Sequence, residues 1–172
     1  ETKPYLELNN AFGSYNSWKN TIKAGTGLIN NKYAFNARAS RISSDGYVDR
    51  AFSNLKSFYV DGGLYTDKHT LKATVFSGKE KTYQAWYGLA EPLFTGNKAR
   101  IEEYADNLWL EGAERERFLN GNRRYNYYTY DNQTDNYTQT HAHLNYSYRP
   151  STQLTFNSAL HYTRGAGYYE EV

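Results

Sequence analysis

Apolar and polar residues alternate along much of the chain, which is the pattern of a β-strand with one apolar and one polar face. The alternation is clearest near the end of the chain, and six earlier segments show it too. The pattern predicts an all-β fold, an antiparallel up-and-down meander of seven strands of about ten residues each. The predicted strands are centred on residues 6–12, 18–28, 33–40, 58–65, 71–75, 137–148 and 153–164.

The predicted connections differ in length according to their place in the meander. Those at 29–32, 67–69 and 149–152 are short, those at 44–54 and about 79–136 are long, and a further loop is expected from Gly165. Apart from the tight link at 14–16, short turns fall at one edge of the sheet and long loops at the other. This segregation is typical of outer-membrane barrels, whereas a β-sandwich does not require it.

Several aromatic residues lie near the predicted strand ends. An aromatic ring with a polar tip suits a membrane–water interface, so the pattern favours an interfacial girdle. The alternative explanation is the ordinary preference of tyrosine for strands. The residues are Trp18, Tyr33, Tyr65, Tyr146, Tyr148 and Tyr162.

Composition narrows the classes of protein. The chain has 172 residues, 39% of them hydrophobic, and 19 tyrosines. No apolar run approaches the roughly 18 residues of a spanning helix. The net charge of +2 argues against a dedicated nucleic-acid binder, and the absence of cysteine excludes a disulfide scaffold and thiolate zinc sites. No nucleophile–base pair or phosphate-binding glycine loop stands out, so we expect no enzyme and no cofactor.

The longest predicted loop contains a segment with helical spacing. Apolar residues recur at intervals of three and four between Lys98 and Leu119, which predicts a short amphipathic helix. The charged run at 114–117 favours a solvated turn or a helix end.

Five segments together resemble TonB-dependent outer-membrane receptors, and the similarity extends over nearly the whole chain. Residues 13–16 and 24–28 resemble the first barrel strands that follow the plug domain in that family. The other three segments are Phe76–Trp86, Tyr130–Tyr137 and Ala159–Glu170.

This resemblance implies a transmembrane barrel of about 22 strands in the bacterial outer membrane, filled by a plug. Seven strands cannot close such a barrel, so residues 1–172 are expected to be a partial barrel domain directly after the plug. The implied function is capture of a scarce ligand (iron–siderophore, cobalamin or glycan) and its import with energy from the TonB complex. The implied partners are outer-membrane lipid, the plug and the small-molecule or glycan ligand.

Two groups of residues are candidates for ligand binding. Rigid aromatic rings in or beside the long loop suit ligand capture, although packing within the loop is an alternative. Arginines that flank or line the lumen side near the long loops suit carboxylate or phosphate groups, although pairing with acidic residues of the plug is the favoured alternative. The candidates are Tyr83, Trp86, Tyr87, Trp109, Tyr127, Tyr128, Arg41, Arg50 and Arg164.

Three histidines are weaker candidates for a metal site. His141 and His143 lie two residues apart and therefore share a face. Matching the apolar faces of the last two strands places His161 opposite His141. Three imidazoles there suit a metal ion or a pH-sensitive patch, while polar lining of a wet lumen is the alternative.

Two other functions fit the same pattern. A passive porin shares the barrel but has an open lumen. A soluble carbohydrate-binding β domain uses exposed aromatic residues, but it would pair its apolar stripes internally.

Overall fold

Seven strands form one antiparallel sheet in the computed structural model, which describes residues 2–171. Each strand pairs with its sequence neighbours, so the sheet is an open meander, as predicted, with β1 and β7 at its edges. The strands are β1 Tyr5–Gly13, β2 Ser17–Gly25, β3 Tyr33–Ser44, β4 Ser53–Tyr65, β5 His69–Tyr83, β6 Thr134–Tyr148 and β7 Phe156–Glu170.

The two faces of the sheet have inverted burial. On one face the apolar side chains are exposed: Phe12 is 83% exposed, Leu8 65% and Val60 48%. On the other face several polar side chains in the middle of the sheet are buried: Thr21 is 9% exposed, Thr74 7% and Asp61 only 4%. We call these the apolar face and the polar face. Among the described residues, the only cluster of buried apolar residues lies outside the sheet, in the long loop.

The connections segregate as the sequence predicts. Residues 26–32, 66–68 and 149–155 join strands at one end of the sheet. Residues 14–16, 45–52 and 84–133 join them at the other, which we call the long-loop end. Asn30 and Asn31 both adopt positive φ, a conformation that asparagine tolerates better than most residues.

The prediction of a loop from Gly165 was wrong, because β7 continues to Glu170. Gly165 and Gly167 lack side chains to pack, so the sequence pattern weakens there. The Tyr137 ring on β6 lies over both glycines, and a Cβ at Gly167 would meet Tyr137 Cδ2 at 2.6 Å. An aromatic residue that covers strand glycines in this way compensates for their missing packing.

The long loop is shorter than predicted and contains three helices. It spans residues 84–133, because β5 extends to Tyr83 and β6 begins at Thr134. The predicted helix is divided in two, and the charged run at 114–117 lies within the second part rather than in a turn. The helices are α1 Glu91–Thr95, α2 Lys98–Asn107 and α3 Gly112–Leu119.

The helices pack around an apolar cluster of Leu93, Ile101, Ala105 and Phe118. Arg123 lies over the Phe94 ring at 4.7 Å from its centroid. Within residues 2–171, no helix is long and apolar enough to cross a membrane.

Candidate functional site

Five aromatic residues form one cluster at the long-loop end. Trp86 and Tyr87 follow β5, and Tyr127 and Tyr128 lie near the end of the loop. The Tyr87 ring centroid is 4.8 Å from that of Tyr127 and 5.5 Å from that of Tyr128. Trp86 makes edge contacts with Tyr128 and with Tyr169 of β7. The structure therefore brings together four of the six aromatic residues that the sequence singled out.

Three residues of the cluster, Tyr87, Tyr127 and Tyr128, form one wall of an open cleft of about 640 Å³. Tyr87 is 73% exposed, so one face of its ring is free for a ligand, whereas Tyr128 is buried beneath it. The carboxylates of Glu114 and Glu171 add hydrogen-bond acceptors. The cleft is lined by Tyr87, Ala113, Glu114, Arg117, Tyr127, Tyr128, Thr129, Tyr130, Gln133 and Glu171.

Hydrogen bonds from the end of the loop hold the floor of the cleft. The Gln133 side-chain oxygen accepts from the backbone N–H of Thr129 at 2.8 Å and of Tyr130 at 2.9 Å. The hydroxyl of Tyr83, a predicted site residue, donates to the Tyr130 carbonyl at 2.7 Å. Tyr83 is 5% exposed, so it supports the cleft from below rather than facing it.

Asn126 joins three segments of the chain behind the cleft. Its Nδ2 donates to the carbonyls of Asp49 at 2.9 Å and Gln84 at 3.0 Å. Its Oδ1 accepts from the Tyr128 backbone N–H at 3.1 Å. A single buried amide thus fixes the position of Tyr128 relative to the loop at 45–52 and the end of β5.

The Arg117 side chain is held by contacts within the long loop. Its guanidinium donates to the carbonyls of Asn126 at 2.5 Å and Tyr127 at 3.0 Å. It also lies over the Tyr125 ring at 4.8 Å from the centroid. Burial raises the pKa of Tyr125 in spite of this nearby positive charge. The Arg117 charge is not neutralised by these carbonyls, so the cleft holds one cation beside two carboxylates.

A second cleft, of about 580 Å³, shares Arg117 and Tyr128 with the first as lining residues. Arg50, a predicted ligand residue, lines it but is paired, with Nη1 2.6 Å from Asp131 Oδ1. This carboxylate raises the pKa of the Arg50 guanidinium above its usual value. A similar pair joins Arg124 and Asp49. Both pairs tie the loop at 45–52 to the long loop.

Three predicted ligand residues lie away from both clefts. Trp109 is in the turn between α2 and α3, 88% exposed, with no aromatic contact among the described residues. Arg41 and Arg164 were expected on the lumen side. The structure places them on the apolar face, because Arg41 shares the strand parity of Ala37 and Ala39, and Arg164 that of Tyr162.

The predicted pairing of His141 with His161 was wrong, because the register of β6 and β7 differs from the prediction by one residue on each strand. His161 lies opposite His143, and Thr163 lies opposite His141 and contacts its Nδ1 at 2.9 Å. Phe76 stacks on His141 at 4.6 Å between centroids. All three histidines share the polar face, but the part of the chain that the structure describes contains no group of three metal-ligating side chains that could hold an ion.

Sequence reasoning missed Tyr169 and Glu171 because it ended the last strand at Gly165. It also missed the structural role of Gln133. The sequence could have revealed Tyr169: if the last strand is extended past Gly165, Tyr169 lies at the same end of the sheet as Trp86.

Neither protein-family models nor curated proteins give a match to this sequence.

Proposed function

We propose that the chain is part of the barrel wall of a TonB-dependent outer-membrane receptor, which binds a scarce ligand and imports it with TonB-coupled energy. The inverted burial of the sheet carries this proposal. Large apolar side chains cover one face and are exposed, whereas the polar side chains of Thr21, Asp61 and Thr74 are buried on the other face. Such an extended apolar surface needs an apolar environment, and a bilayer supplies one to a closed barrel.

The dimensions of the apolar face support the same conclusion. On β5 the apolar face runs from His69, which stacks on Tyr148, to the charged Lys79. That path is about 33 Å along the strand, or about 24 Å along the membrane normal for a strand tilted by about 45°. The apolar band of an outer-membrane barrel is about 25 Å tall.

Aromatic residues border this band at both ends. Tyr146, Tyr148 and Phe156 lie at the short-turn end, and Phe12 packs on Trp18 at the long-loop end. The girdle prediction was wrong for two residues, because Tyr65 lies on the polar face and Tyr162 lies in the middle of β7.

The cleft beside Tyr87 is the proposed ligand-capture site of the receptor. It lies at the long-loop end, which is the extracellular end in outer-membrane barrels. Exposed rings beside carboxylates, a guanidinium and amides suit a small molecule or a glycan that presents both apolar surface and hydroxyl groups.

Cell fractionation tests the proposed location. An antibody against this chain should detect, in the outer-membrane fraction, a band several times larger than 19.9 kDa. A soluble band near that mass would contradict the proposal and favour a free-standing β domain.

Ligand uptake tests the proposed mechanism. Cells dependent on the receptor should lose most uptake with Tyr87→Ala, because the exposed ring supplies about 1–2 kcal/mol of contact at a binding surface. Tyr47→Ala is the matched control, since Tyr47 packs on Tyr15 outside the cleft. A protonophore should abolish uptake of the wild type, and uptake that persists would indicate a passive porin.

A further inference from the structure

The apolar face carries a row of cations at its long-loop border. Arg41 on β3 lies directly opposite Lys56 on β4, which in turn lies opposite Lys79 on β5. We call Arg41, Lys56 and Lys79 the basic row. Lys81 follows on the same face of β5, and Arg164 lies on that face of β7. All five side chains are exposed.

This arrangement costs the sheet stability unless anions from outside compensate it. Like charges directly opposite each other on neighbouring strands repel. None of the ion pairs within residues 2–171 involves any of the five cations. On the seven strands as described, the only carboxylate on the apolar face is Glu170, at the last position of β7.

The cations follow the edge of the apolar stripe. The stripe shifts toward the short turns from β1 to β7, as it does when strands tilt in a barrel. The last large apolar residue toward the long loops is Phe12 on β1 and Phe58 on β4, and Lys56 is the next residue after Phe58 on that face. On β7, Arg164 follows Tyr162 on that face, and only Tyr168 among the large aromatic residues lies beyond it. Lys56 and Arg164 therefore lie at the border of the apolar stripe that faces the long loops.

We infer that the basic row binds phosphate-bearing lipid headgroups of the membrane leaflet at the long-loop end. This inference rests on the proposed membrane location. Acyl chains would cover the apolar stripe while the phosphates meet the cations at its border. Arginine and lysine are the side chains that bind phosphate best, and each contributes about fivefold in affinity near an anionic surface.

The test uses the whole membrane protein that contains this chain, purified in detergent and titrated with lipid A while native mass spectrometry counts bound lipid. The variant Arg41→Gln/Lys56→Gln/Lys79→Gln should bind lipid A about a hundredfold more weakly. The control Lys19→Gln/Arg38→Gln/Lys68→Gln loses the same charge elsewhere, on the polar face and at a short turn, and should change binding less than twofold.

Two further comparisons identify the headgroup as the ligand. Monophosphoryl lipid A should bind more weakly than the bisphosphorylated form. Millimolar inorganic phosphate should not displace bound lipid A, and displacement would show a site for free phosphate and overturn the inference. Should the triple variant fail to fold, each single variant should still lose about fivefold.

Insertion into phosphatidylcholine nanodiscs separates this inference from the proposed function. A wild type that stays outside the nanodiscs contradicts both. A wild type that inserts, with a triple variant that binds lipid A as tightly as the wild type does, contradicts the lipid inference alone.

Discussion

At the scale of the residue, a few buried polar side chains position the candidate site. Asn126 accepts one backbone hydrogen bond and donates two, to carbonyls from distant parts of the chain. Removing such a residue leaves its buried partners without a hydrogen bond, and each buried unpaired donor or acceptor lowers the stability of the fold by about 1–3 kcal/mol.

Asn126→Ala should therefore destabilise the loop by about 2 kcal/mol. The Tyr128 amide loses its acceptor, so its hydrogen exchange should become at least tenfold faster. Asn132→Ala is the matched control, because Asn132 is exposed and its side chain makes no hydrogen bond within the described residues. Equal exchange rates in the two variants would show that Asn126 does not hold Tyr128.

Sequence reasoning identified the residue types of the site but not their partners. The tyrosines beside the long loop were found because no strand packing requires them there. The pairing of Arg50 with Asp131 could not be found, since 81 positions separate the two residues and no local pattern links them.

At the scale of the element, strands were easier to predict than their ends. Alternation identifies a strand from its interior, and the fold has all seven. It fails where glycines interrupt the pattern, because the compensation at Gly165 comes from Tyr137 on another strand. The histidine register was wrong for a related reason: the turn at 149–155 is longer than predicted, so the pairing shifts by one residue on each strand.

The end of α2 shows strain that the sequence does not reveal. Trp109 has a φ of 54° and occupies the C′ position of a Schellman motif, where glycine is preferred. The Leu110 N–H donates to the Ala105 carbonyl at 3.1 Å and completes the motif. The indole is exposed, so its packing does not offset the conformational strain of the positive φ.

Trp109→Gly should stabilise this turn by about 1 kcal/mol, because glycine adopts positive φ without steric cost. Amide exchange of Leu110 should become about fivefold slower, which is the rate equivalent of that free energy. Trp109→Ala removes the ring but keeps the Cβ, so it should leave the exchange rate unchanged. If alanine slows exchange as much as glycine does, the strain lies in the indole ring and not in the backbone.

At the scale of the whole molecule, the sheet is organised around a polar face and an exposed apolar face. The long loop has its own small apolar core, and the apolar side chains that form it all come from the loop and not from the sheet. On the polar face, the Asp61 carboxylate is shared by Asn36 Nδ2 at 3.2 Å and Lys72 Nζ at 3.6 Å. Alternation in the sequence predicted the two faces. It could not predict the basic row, because that feature depends on cross-strand register.

The most direct test of the account is the environment of the two faces along β4. The chain has no cysteine, so single cysteines can be introduced one at a time from Phe58 to Asp61 and spin-labelled in the membrane-reconstituted protein. A barrel wall whose apolar face meets lipid should give an alternation with period two: labels at 58 and 60 should collide with oxygen dissolved in lipid, and labels at 59 and 61 should not. Labels at 58 and 60 that are shielded from both oxygen and a water-soluble relaxation agent would mean that protein covers the apolar face, which would contradict a lipid-facing barrel wall.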